Sequence, residues 1–140
     1  MPITVTAPQG VLTAAGEREV LPRLTHALIE ASGAVGNPFF TALVGGTVHI
    51  LPQDRIYAGG SNRPVVMVEL KLPNIGLGSP EARGAFIEAA AKVIKELTVP
   101  EHQSENTWIN IVNAPDGGWG IGSQQYTGEA LIAAVMAAAH

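Results

Sequence analysis

The chain contains no cysteine, which excludes a disulfide framework and any metal site built on thiolates. Charge is also scarce: Asp, Glu, Lys and Arg make up 14% of the residues, against about 25% in typical soluble domains. The eight Lys and Arg are scattered and the formal net charge is −4, so nothing forms the basic footprint of a nucleic-acid binder. No apolar run approaches the ~20 residues that a membrane span requires. Met1-Pro2-Ile3-Thr4 places no positive charge ahead of an apolar stretch, which argues against a secretory leader. A cytoplasmic address is therefore expected. The four histidines, His26, His49, His102 and His140, show no ligand spacing, so no metal or other cofactor is expected. The glycines from Gly117 to Gly122 lack the Gly-x-Gly-x-x-Gly order of a phosphate cradle and no Lys-Ser/Thr follows them; a tight hairpin is expected there.

What is present is apolar substance. The 140 residues suffice for one hydrophobic core and are too few for two independent domains. Apolar residues account for 46% of them. So few charges cover a monomer of this size poorly, and part of the surface is expected to be buried between copies of the chain.

Pro2 to Ala7 reads as a first strand, rich in β-branched residues. Thr13 is a cap for a helix running to about Ser32, stopped by Gly33. Val20, Leu24, Ala27, Leu28 and Ala31 line one face of it, and Pro22 is expected to kink it or delay its start. Thr47 to Leu51 is a second strand. The pattern then repeats. Val65 to Leu72 reads as a strand, and Ser79-Pro80-Glu81 opens a helix whose apolar face is Phe86, Ala90, Val93, Ile94 and Leu97, ended by Pro100. Thr107 to Asn113 is a fourth strand, and 127–139 an Ala-rich helical tail.

Pro2 and Pro64, Pro52 and Pro115, and Gly60-Ser61 and Gly122-Ser123 all recur at a spacing of about 62 positions, the mark of an internal duplication. The expectation is a single α+β domain over 1–140, with one repeat at 2–61, a second at 64–123, and the tail after them. Two right-handed β-α-β units side by side give a four-stranded sheet with both helices on one face and the other face bare.

Pro2 is the residue with distinctive chemistry. Trimming of a methionine before it leaves a free secondary amine at the start of a strand. Apolar surroundings lower the pKa of such an amine, because desolvation disfavours its charged form. A base poised near neutral pH is what proton abstraction beside a carbonyl needs.

Met-Pro-Ile-Thr-Val opening a duplicated strand-helix-strand unit resembles the tautomerase superfamily, whose members use an amino-terminal proline as catalyst. Val48-His49-Ile50-Leu51-Pro52 through Tyr57-Ala58-Gly59-Gly60-Ser61, and Trp108-Ile109-Asn110-Ile111, look like the macrophage migration inhibitory factor branch. Asp116-Gly117-Gly118-Trp119-Gly120-Ile121-Gly122 is similar to the closing hairpin of the 4-oxalocrotonate tautomerase branch. The resemblance covers the chain to about Tyr126.

It implies a homotrimer with sites at subunit interfaces, Pro2 as general base, and Trp108, Asn110 and Trp119 as pocket residues, with Asn110 donating to a substrate oxygen. The implied activity is keto-enol proton transfer on a small 2-oxo or enol acid. No nucleic-acid or membrane partner is expected. Arginines that relatives carry after the first strand and on the later strand fall at Leu12 and Trp108, and a lysine after the first helix falls at Ala34. Lys71 is then the nearest cation for a substrate carboxylate. Two alternatives stay open: a catalytically weak binding or interaction protein, and a decarboxylase or hydratase using protonated Pro2.

Overall fold

In the computed structural model, which describes residues 1–139, the β-branched run at the amino terminus forms β1 (Pro2–Pro8). Thr13 then caps α1 (Ala14–Ala31), its side chain accepting from the Gly16 amide at 2.9 Å. The helix passes through Pro22 unbroken. Pro22 and Arg18 are both exposed, so water can satisfy the Arg18 carbonyl that the missing proline N–H leaves free. Gly33, at φ 65°, turns the chain out of the helix.

A short helix that the periodicity did not reveal, α2 (Pro38–Leu43), follows on an Asn37 cap with proline at its start. It leads into β2 (Gly45–Leu51), which begins two residues earlier than the sequence pattern indicates. A two-residue hairpin, β3 (Tyr57–Ala58) with β4 (Ser61–Asn62), precedes β5 (Val66–Leu72).

Ser79 caps α3 (Pro80–Leu97) by accepting from the Ala82 amide at 3.1 Å. α3 ends at Leu97, three residues ahead of Pro100. The chain leaves the helix at Thr98, which is extended and forms a bridge with Leu12. β6 (Thr107–Asn113) has the boundaries expected of it. A hairpin, β7 (Trp119–Ile121) with β8 (Gln124–Tyr126), occupies the glycine-rich run, and α4 (Gly128–Ala138) closes the chain on a Thr127 cap.

The main sheet has the order β2-β1-β5-β6, with β1 parallel to β2, β5 parallel to β6, and the central β1–β5 pair antiparallel. This is the arrangement two β-α-β units give when set side by side. Ile3, Val5, Ala7, Val66, Val68, Leu70 and Leu72 alternate onto one face, where Val20, Leu24 and Leu28 of α1 and Phe86, Ala90 and Ile94 of α3 bury them. The two helices touch closely: the Thr13 amide donates to the Leu97 carbonyl at 3.0 Å, and Val99 to Val11 at 2.9 Å. Pro2, Thr47, His49, Glu69, Lys71, Asn110 and Val112 alternate onto the other face, which carries no helix. Among the described residues no helix is long and apolar enough to cross a membrane.

Candidate functional site

The amino terminus lies at the end of the sheet where β1 begins and β5 and β6 finish. Met1 is 7% exposed: its ammonium donates to the Leu43 carbonyl, and its own carbonyl accepts from Gly45 at 3.2 Å. Gly46 permits this close pairing, since a Cβ there would stand 2.2 Å from the Ile3 carbonyl. Burial lowers the pKa of the Met1 amine from 8.0 to about 6.

Met1 lines a cavity of about 530 Å³, half open to solvent. Its walls are the turn after α1 (residues 31–37), Phe40 and Leu43 of α2, the loop after β5 (residues 73–78), and Leu131, Ile132, Val135 and Met136 of α4. None of the lining side chains is charged. Asn37, the buried polar side chain among the described residues, joins two walls: its oxygen accepts from the Phe40 amide at 2.9 Å and its nitrogen donates to the Val135 carbonyl at 2.8 Å.

Pro2 is exposed on the open face of the sheet, but its nitrogen carries the bond to Met1, which leads into the cavity. Pro2 thus stands between two regions. Continuing the β1–β5 register past Ile3–Leu70 puts Lys71 opposite Pro2, on the same face, at the ~5 Å spacing of cross-strand neighbours. Lys71 makes no ion pair among the described residues.

The other sequence candidates are not brought to Pro2 within the chain. Trp108 pairs with Met67, which pairs with Thr6, so it lies four register positions, or about 13 Å along the strands, from Pro2. Asn110 pairs with Glu69 in the row of Thr4, halfway between. Trp119 packs against the main core from β7 and is not among the residues lining the Met1 cavity.

Sequence reasoning also passed over a cation. The Arg63 guanidinium lies 5.8 Å from the centre of the Trp108 ring and donates to Asn106 at 2.7 Å. The signal was its place immediately before the second repeat; its distance of 45 positions from Trp108 hid the contact.

No family model and no curated protein matches the chain. Solved structures do. A native fused 4-OT shares 25% identity, with 94% of this chain and 98% of that chain covered, at a TM-score of 0.73. A protein crystallised after inactivation by 2-oxo-3-pentynoate shares 22% identity over the same shares, also at 0.73. The macrophage migration inhibitory factor of Toxoplasma gondii shares 14%, covering 90% of this chain and all of that one, at 0.68.

The chain has the tautomerase fold.

Seen on the tautomerase fold, the departures noted in the sequence take physical form. Leu12, where the sequence resemblance implies an arginine, is 4% exposed and joins the core beside α3. Ala34, at the place of a lysine, is buried in the cavity wall. Neither position supplies a cation. Among the described residues no group of three or more His, Asp or Glu is placed to hold a metal ion, and His140 lies outside those residues.

Proposed function

We propose that the chain, once Met1 is removed, is a tautomerase-type enzyme that moves a proton between oxygen and carbon of a small 2-oxo or enol acid, with the Pro2 amine as general base. The observation that carries this reading is the direction of the Met1–Pro2 bond. Breaking it leaves a secondary amine at an apolar cavity, where burial already lowers the pKa of the Met1 amine. An amine whose charged form is disfavoured by apolar surroundings is the better able to accept a proton.

In the enol-to-keto direction Pro2 takes the hydroxyl proton, the C–O bond becomes a carbonyl, and the protonated amine returns the proton to the neighbouring carbon. Lys71, on the same face, holds the carboxylate. Negative charge developing on the enolate oxygen needs a preorganised donor. In our reading that donor is Asn110 of a neighbouring copy in a homotrimer, arriving with Trp108 and with Arg63 stacked on it, while Trp119 walls the pocket. The bare sheet face, the low charge and the trimers named for fused 4-OT structures support this assembly. The same reading treats the chain as one domain of two repeats with a helical tail.

One observation favours a second reading, a binding protein with little catalysis: with leucine at position 12 and alanine at 34, Lys71 faces Pro2 alone in its row of the sheet, and Arg83, beside the cavity, is engaged with the Leu77 carbonyl at 2.9 Å.

The deciding experiment uses protein whose intact mass shows Met1 removed, beside Pro2→Ala. Ketonisation of an aryl enolpyruvate should fall by orders of magnitude in the variant. 2-Oxo-3-pentynoate, a conjugated ynone open to amine addition, should add its mass to the peptide bearing Pro2. Equal activity in both proteins, with no labelling of that peptide, would reject Pro2 as the base.

A further inference from the structure

We propose that α4 is a specificity-determining wall: with α2 it shapes the Met1 cavity to take an uncharged aliphatic side chain of the substrate. The substrate class is then a monocarboxylic 2-oxo or enol acid with an apolar tail, not a dicarboxylate. The inference deepens the proton-transfer reading and rests on it for where the reacting end lies.

Four observations carry it. The cavity measures about 530 Å³, within the range of small-molecule sites, and none of its lining side chains is charged. It is already filled in part by an aliphatic group, because Met1 is 7% exposed and belongs to the main core cluster. That group is bonded to the Pro2 nitrogen, so whatever replaces Met1 after trimming starts from the reacting atom. Finally, half of the exposed large apolar side chains among the described residues, Val35, Ile75, Ile132 and Met136, rim this one opening. Two of those four belong to α4.

The chemistry follows from charge. A carboxylate at the reacting end can turn toward Lys71 on the open face of the sheet. A second carboxylate at the far end would enter a wall whose lining side chains carry no charge, Arg83 beside it being engaged with the Leu77 carbonyl at 2.9 Å, and burying an unpaired charge is far more costly than burying a methylene. An alkyl chain loses water on both sides when it enters.

The test uses Met1-trimmed protein and the unreactive saturated acids butanoate, hexanoate and octanoate, with hexanedioate as the dicarboxylate, binding followed by calorimetry or NMR titration. Each methylene should tighten binding about three- to fourfold, and hexanedioate should bind at least tenfold more weakly than hexanoate. Met136 is 63% exposed, so Met136→Lys and Met136→Glu can change the rim without touching the core. Met136→Lys should narrow the gap between hexanoate and hexanedioate, and Met136→Glu should widen it. Affinity independent of chain length, or a gap unmoved by both substitutions, would overturn the proposal. The same titrations on Pro2→Ala separate the two readings. A chain-length slope kept there while ketonisation proves independent of Pro2 supports the wall and removes the base. A flat series beside Pro2-dependent ketonisation does the reverse.

Discussion

Gly16 shows how much one hydrogen atom decides where two helices meet. A Cβ at this position would stand 2.4 Å from the Leu97 carbonyl oxygen, and that oxygen already accepts from Thr13. Alanine is the better helix former by ~1 kcal/mol. Overpacking against backbone costs about 1–3 kcal/mol, so the contact outweighs the propensity. Gly16→Ala should therefore lower the urea midpoint. His102 gives a second residue-scale effect. Its Nε2 pairs with the Thr107 hydroxyl at 2.8 Å, while its buried Nδ1 has no hydrogen-bond partner. Desolvation pushes its pKa down, with the Glu105 charge partly opposing. An imidazole lowered on folding takes up its proton more readily in the unfolded chain, so it adds stability above its ordinary pKa of 6.5 and loses that contribution as pH falls below. The thermal midpoint should drop as pH falls below 6.5, and His102→Phe should flatten that drop while lowering the plateau.

At the scale of elements, α3 holds the sheet through Phe86, which is fully buried. Phe86→Ala should cost about 3–5 kcal/mol in chemical denaturation. Most of α1, α3, β1, β5 and β6 was legible in the sequence because each is long enough to show its period, and because Thr13, Ser79 and Thr127 are capping residues in place. The short elements were not. β3 and β4 have two residues each, too few for alternation to show, and α2 has six. Asn37-Pro38 does carry a cap signal for α2, masked by the glycines on either side. One local rule also failed for a physical reason: Pro22 is tolerated because it and Arg18, whose carbonyl it orphans, are both exposed, so water can serve that carbonyl. α3 ends ahead of Pro100, where Thr98 begins to pair with Leu12.

For the whole molecule, the two faces of the sheet differ in kind. One is a core of β-branched and leucine side chains under α1 and α3; the other is a ladder of Pro2–Lys71–Val112, Thr4–Glu69–Asn110 and Thr6–Met67–Trp108 rows without a covering layer. If copies assemble through this face, sedimentation should report about three times 14.5 kDa. Val112 is 58% exposed there, so Val112→Asp should dissociate the assembly and leave the far-ultraviolet circular dichroism unchanged. Composition pointed to buried surface and spacing to the duplicated halves. The site was legible only in part. Pro2 and Lys71 become neighbours through the antiparallel register of the two repeats, which the sequence pattern does not show. The cavity is made by α2 and α4, elements that its motifs do not join.

Asn37 joins them, and its two hydrogen bonds separate cleanly by chemistry. Aspartate at this position keeps the oxygen that caps α2 and replaces the donor that holds the Val135 carbonyl with a second acceptor. Asn37→Asp should leave α2 in place and release α4 from it. Amide hydrogen exchange would then rise along α4 while α1 and α3 stay protected. If the cavity takes a ligand as proposed, that ligand should leave faster through the loosened side of the Asn37→Asp variant.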